Sequence, residues 1–281
     1  MRLGGPVFTS HNDPERFAQA HIEKGYTAAY CPDGLKAGQT GAIRRFVDAM
    51  ARHDVVIAEV GAWCNPLTKD EKAAKENIGF VIERLALAEE LSAKACVNIV
   101  GTWDDAFWYG PCAANFQSDF FDYAVEVSRK IIDAVKPRNT MMTFELMPFS
   151  FLDSADEYVR FLDALGRKEA GVHFDPVNCI NSPRVFYDNA AFLADAFRTL
   201  KGRIISMHLK DIDIRHDPPS VMFDEVPIGT GGIDYAALLR QIGKLSPDTP
   251  AMLEHLPDEA AYDRAAQAVR RFAATADVAI R

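Results

Sequence analysis

Residues 204–211 read IISMHLKD. The run starts as an apolar, β-branched strand and ends on His208, Lys210 and Asp211. An apolar run without polar alternation fits a strand covered on both faces, as in a parallel sheet packed between helices. Charged groups at the end of such a strand need compensation, because burying an unpaired charge is costly. Seven other short apolar runs share this character, at residues 6–9, 27–31, 55–60, 96–101, 141–146, 171–175 and 251–255.

Helical patterns separate these runs. Asn12-Asp13-Pro14-Glu15 opens the first, with a capping residue and Pro in the first turn. Residues 39–53 carry Ile43, Phe46, Val47 and Met50 on one face. Thr68 and Glu71 stand in capping-box register before a long helix to about residue 93, as do Ser154 and Glu157 before one at 154–165. Further helices are expected at 115–135, 188–200, 235–245 and 257–280. Eight strand–helix units in 281 residues predict an α/β fold, a single (β/α)₈ TIM barrel spanning residues 1–281. A doubly wound open sheet is the alternative, but the first strand lacks a GxGxxG turn. The glycine-rich Gly229-Thr230-Gly231-Gly232 follows no strand and precedes no GK[ST], so it does not read as a phosphate loop.

Composition narrows the partners. The formal charge is −9 and no block of Lys and Arg stands out, which argues against nucleic acid and an anionic membrane. Five cysteines without a CxxC pair read as free thiols of a reducing compartment. The N-terminal segment lacks a signal-type apolar stretch and no 18-residue apolar run occurs, so a cytoplasmic protein is expected.

In such a barrel the active site lies at the C-terminal ends of the strands. Glu145, Asp175, His208 and Glu254 sit there, one on each of the last four expected strands. Singly, each has an ordinary reading: a solvated carboxylate, a satisfied core histidine, a turn cap. Pointing inward together, three carboxylates would repel strongly unless some are protonated or a divalent cation lies between them. One imidazole with three carboxylates suits Mn²⁺, Mg²⁺ or Co²⁺, and the ligand types also admit Zn²⁺.

At these residues the chain resembles the xylose-isomerase-like sugar isomerases and epimerases, a superfamily that includes ketose 3-epimerases, hydroxypyruvate isomerase and inosose dehydratase. The matching pieces are TFEL at Glu145, HFDPVN at Asp175, MHLKD at His208, MLEH at Glu254 and the PIGTGGIDY loop. The resemblance implies a divalent metal, commonly Mn²⁺, bound by Glu145, Asp175, His208 and Glu254. It also implies that Glu145 and Glu254 double as catalytic acid and base. A metal that chelates a carbonyl and the neighbouring hydroxyl acidifies the intervening C–H, and a carboxylate removes that proton to give a metal-held enediolate. Returning the proton isomerises or epimerises a sugar. Losing a β-substituent is the alternative, a lyase or dehydratase acting on keto-inositols or 3-keto-glycosides. A non-catalytic sugar-binding barrel subunit is the alternative of another class.

The chain departs from the ketose 3-epimerase pattern. Asn178 stands where those enzymes have a histidine, Phe151 where they have a second glutamate, and Arg215 is only an approximate counterpart of their substrate arginine. The zinc apurinic endonucleases share the barrel but need more histidines, one of them at the position of Asn178. The remaining candidates follow from position. Trp63, Trp103, Trp108 and Tyr109 follow strands three and four, and Trp108 is the foremost substrate wall, on a long loop 101–115 that suggests a lid. Asn178 and Arg215 are expected to touch substrate, Glu59 to orient a ligand or bind substrate, and Lys210 to bind an anionic substrate group or pair with Asp211 or a neighbouring carboxylate. His173 shares the face of Asp175 and is expected to support it from beneath. His11 lies in the first loop, within possible reach of the pocket, and His255 alternates away toward the helices. The expected partner is a small sugar or polyol-ketone, and assembly as a homo-oligomer is open.

Overall fold

The computed structural model describes residues 1–104, 106–217 and 219–281. Eight parallel strands close into a barrel in the order β1-β10-β7-β6-β5-β4-β3-β2. The elements run β1 (Arg2–Gly4), α1 (Pro14–Glu23), β2 (Ala28–Tyr30), α2 (Thr40–Arg52), β3 (Val56–Gly61), α3 (Glu71–Leu91) and β4 (Ala95–Ile99). They continue with α4 (Ser118–Val135), β5 (Met141–Glu145), α5 (Ala155–Leu165), β6 (Ala170–Phe174), α6 (Pro183–Tyr187), α7 (Asn189–Thr199) and β7 (Ile204–Leu209). An antiparallel hairpin of β8 (Asp211–Ile214) and β9 (Phe223–Val226) follows, then α8 (Tyr235–Ile242), β10 (Pro250–Leu253) and α9 (Glu259–Thr275). The barrel is the one the apolar runs predict. The main core lies between sheet and helices, for example Phe144 of β5 against Phe161 of α5 and Phe174 of β6 against Phe197 of α7.

The first strand lies earlier than its apolar run. Residues 6–9 are not the strand; Arg2, Leu3 and Gly4 pair with Pro250, Ala251 and Met252. Pro6 has no N–H for a ladder, and Gly4 leaves no room for a Cβ beside the Ala28 carbonyl and Met252. Buried Arg2 then fixes the register at the barrel's lower end, bridging Asp54 at 2.8 Å and Asp248 at 2.9 Å. Helix caps differ in detail. Asp70, not Thr68, caps α3, accepting from the Ala73 N–H at 2.9 Å, because a carboxylate two residues nearer the helix outcompetes the hydroxyl. Ser154 caps α5 as expected, and Gly166 ends it in the left-handed region at φ +57°. The α4 helix begins at Ser118 rather than Asn115, whose side chain serves the preceding loop instead.

The β8–β9 hairpin has no counterpart in the apolar pattern. Its base is held by Asp211, a buried carboxylate that receives N–H bonds from Ile212, Gly229, Gly231 and Ile233 at 2.9–3.2 Å. The glycine-rich loop is therefore wound around a carboxylate of its own chain. A Cβ on Gly231 would collide with that carboxylate. Asp211→Ala orphans these donors and should lower stability by about 3 kcal/mol in urea unfolding, with Asp211→Asn costing less because one acceptor oxygen remains.

Candidate metal centre

Glu145 is the last residue of β5, and Asp175 and Glu254 stand one residue beyond β6 and β10. His208 lies inside β7. The parallel register levels these ends: His173 pairs with Glu145 across β5–β6, and His208 with Met252 across β7–β10. Pro176 stops the sixth strand. Asp175 Oδ1 then accepts the Val177 N–H at 2.9 Å, and the short turn Val177–Cys179 swings Asn178 back over the fifth strand. Its amide donates to Glu145 Oε1 at 3.0 Å and to the Leu146 carbonyl at 3.1 Å.

The four side chains converge. His208 Nδ1 lies 3.0 Å from Glu254 Oε2, 3.4 Å from Glu145 Oε1 and 3.9 Å from Asp175 Oδ2. One donor atom from each falls within 4.8 Å of all the others. Oxygens on opposite sides of one divalent ion, with bonds of about 2.0–2.6 Å, stand roughly 4–5 Å apart, so the cluster is of a size to hold one ion. Asp175 and His208 are fully buried. Asp175 Oδ2 and Glu254 Oε2 are buried without a well-directed hydrogen bond. Such oxygens call for positive charge, which the Lys210 ammonium at 2.9 and 2.7 Å supplies in part and a divalent ion would complete.

Two further groups shape the electrostatics. The Lys210 ammonium, also buried, approaches Glu254 at 2.7 Å, Asp175 at 2.9 Å and Glu145 at 3.8 Å. Burial works against its charge, but Asp175, Glu145 and Glu254 outweigh that and hold its pKa above the usual value. On the far side of the imidazole, Glu59 Oε1 faces His208 Nε2 at 3.3 Å. A carboxylate behind a ring nitrogen fixes the tautomer and leaves the other nitrogen free to ligate. His173 stacks edge-on against His208, with ring centres 4.1 Å apart, and is held by Ser206 Oγ at 2.7 Å. Burial keeps His173 neutral. The two glutamates part company. Burial pushes Glu145 up to about 7 against the pull of His208 and Lys210. Burial also opposes the charge on Glu254, yet His208 and Lys210 prevail and hold it well below the usual range.

Above this floor opens a cavity of about 970 Å³, with Glu145, Asn178, Lys210 and Glu254 at its base and Trp63, Trp108 and Tyr109 among its walls. A profile described as Xylose isomerase-like TIM barrel matches residues 22–272. The chain belongs to this family.

Solved structures of the family fold superimpose end to end. A xylose isomerase-like TIM barrel protein from Mycobacterium smegmatis in complex with magnesium is 12% identical, with a TM-score of 0.67 over 98% of this chain and 96% of that one. The probable 3-DHS dehydratase involved in petrobactin synthesis from Bacillus anthracis is 13% identical, with a TM-score of 0.68 over 98% of each chain. D-psicose 3-epimerase with D-tagatose from Clostridium cellulolyticum H10 is 14% identical, with a TM-score of 0.67 over 99% of this chain and 100% of that one. At such identities the likeness is one of fold. No curated protein matches the chain. Among the described residues no helix is long and apolar enough to cross a membrane.

Within this family barrel, some sequence candidates lie apart from the cavity. Arg215 sits on the hairpin, half-exposed and paired with Asp224. Trp103 packs against Phe120 and Tyr123 on the α4 side. His11 pairs with Asp33 and packs on Phe17. Glu59 lies behind His208, 2% exposed, and not in the large cavity. His255 corrects the strand alternation. The strand stops at Leu253, and a left-handed turn at His255, φ +57°, returns its ring to the cavity, where Glu225 meets Nδ1 at 3.0 Å. Nothing in the sequence marks Glu225, since it sits on the unpredicted hairpin. Phe107 and Phe149 are further wall residues without a strand-end signal. The loop 101–115 is tied down by buried Asn115, which accepts from the Trp103 N–H at 2.8 Å and donates to Thr102 Oγ1 at 2.8 Å and the Phe149 carbonyl at 2.9 Å.

Lys210→Met leaves the buried carboxylates without their ammonium. In EDTA it should destabilise the protein by about 3 kcal/mol by urea unfolding.

Proposed function

We propose that the chain is a divalent-metal-dependent sugar isomerase or epimerase that abstracts a proton next to a carbonyl. One observation carries the reading: donor atoms of Glu145, Asp175, His208 and Glu254 lie within 4.8 Å of one another at the floor of an open cavity. Those residues would hold the ion, and Mn²⁺ suits the set best, with Mg²⁺, Co²⁺ or Zn²⁺ also admitted by ligand type. When bound, a divalent ion supplies Lewis acidity to a carbonyl oxygen and acidifies the adjacent C–H.

The protein's own groups do the rest. Glu145 and Glu254 both approach His208 Nδ1, at 3.4 and 3.0 Å, and both line the cavity, so one can take the proton while the other returns it. Asn178 cannot exchange a proton near neutral pH, but its amide orients Glu145 Oε1. Glu59 holds the imidazole from behind. Lys210 keeps a positive charge where negative charge grows on the substrate oxygen. Elimination of a β-substituent shares the proton abstraction and is the second reading. It is favoured by Phe151, which packs in the core against Phe121 and Phe161, so that position supplies no carboxylate to anchor a ketose hydroxyl.

The Mn²⁺-loaded protein, incubated with a panel of ketoses in D₂O, should place deuterium beside the carbonyl as read by NMR. Glu145→Gln and Glu254→Gln should each slow exchange by about 10²–10⁴-fold, and EDTA should stop it. No exchange across the panel would overturn the reading, and a new C=C bond with a lost substituent would move it to elimination. Glu59→Gln should weaken Mn²⁺ binding about 10–100-fold by calorimetry while leaving the fold intact.

A further inference from the structure

The cavity is built in two chemically distinct halves. Its floor is polar, with Glu145, Asn178, Lys210 and Glu254, and Asn181, Glu225 and His255 add polar groups to one part of the lining. Its walls and rim are aromatic and aliphatic: Trp63 is 37% exposed, Phe107 49%, Trp108 39%, Phe149 37% and Val221 56%. These rings are set in place. Tyr109 meets Phe107 edge-on at 4.3 Å and Trp108 at 4.8 Å, and Asn115 ties the Trp103 and Phe149 backbones to one anchor. Apolar surface of this extent around a polar floor marks a binding site.

Size and charge specify the ligand. About 970 Å³ lies at the upper end of the ~300–1,000 Å³ that drug-sized ligands occupy, well beyond the needs of one six-carbon sugar. A free sugar can lay its C–H face on one aromatic ring, but a ligand filling the whole cavity must also cover Phe107, Phe149 and Val221, whose side chains offer further hydroxyls no partner. A phosphate would need a free cation. Among the described lining residues Lys210 is engaged by carboxylates and His255 by Glu225.

We propose that the substrate is a keto-sugar carrying a bulky, uncharged aromatic substituent, with the sugar on the polar floor and the substituent against Phe107, Trp108 and Phe149. This rests on the proposed carbonyl chemistry for the sugar half alone. A binding experiment separates the two. Methyl and 4-methylumbelliferyl β-glycosides of glucose, galactose and xylose serve as unreactive matched pairs, titrated calorimetrically into the Mn²⁺-loaded protein. In at least one pair the aryl member should bind about 10–100-fold tighter, the gain expected from burying one aromatic ring system. Trp108→Ala combined with Phe149→Ala should bring that pair within about twofold, and Trp108→Phe should restore most of the difference. Equal affinities in every pair, no binding of any member, or an aryl preference that survives the double substitution would overturn the proposal. So would sedimentation showing that the rim instead seals a dimer which the double variant dissociates without altering aryl binding. Aryl preference without deuterium exchange would sink the isomerase reading and keep this one. Exchange with simple ketoses and no aryl preference would do the reverse.

Discussion

Charge compensation in a dry place is the constraint on which the upper half of the barrel depends. Glu59, Glu145, Asp175 and Glu254 crowd around one imidazole and one ammonium. Unbalanced, such a group would cost several kcal/mol per buried ion. The arrangement persists because each charge answers a specific partner: Glu59 behind His208, Asn178 on Glu145, Lys210 between Asp175 and Glu254. Glu59 Oε2, Asp175 Oδ2 and Glu254 Oε2 still accept no hydrogen bond of good geometry. That residual hunger for positive charge is the physical link between fold and chemistry.

Register delivers these groups to one level. Side chains alternate along a strand, so a slip of one residue in β7 would turn His208 toward the helices and Leu209 toward the axis. The barrel guards against this at its other end, where Arg2 ties the first strand to Asp54 and Asp248, and Arg281 joins the same two carboxylates. The lower end is polar and satisfied, and the upper end polar and strained by like charge. Stability and function are thus placed at opposite ends of the same strands, as expected for this architecture.

The loops divide the cavity's work. The hairpin rising beside Lys210 is held at its root by four backbone N–H groups on Asp211 and carries Glu225 to His255. The loop after β4 is held by Asn115 and carries the aromatic rim. Each loop is fixed by a buried polar residue with several backbone partners, and each also packs on the core, through Ile212 and Phe223 in the hairpin and Trp103 after β4.

The barrel and its polar strand ends were legible in the chain because burial on both faces forces continuous apolar runs, and a carboxylate or imidazole ending such a run stands out. Glu145, Asp175, His208 and Glu254 are legible for that reason, as is His173 beneath them. The sequence by itself determined the eight-fold order of strands and helices and the residue types at the strand ends. Tertiary structure alone decided which strand ends meet, that Glu59 stands behind the imidazole, that Lys210 neutralises the carboxylates, and that Arg215 and Trp103 turn elsewhere. It also decided the first strand's position and the inward turn of His255, since both depend on distant backbone rather than local pattern. Periodicity encodes which face is apolar over a few residues. Convergence of charges from four strands depends on barrel closure, which no local stretch encodes.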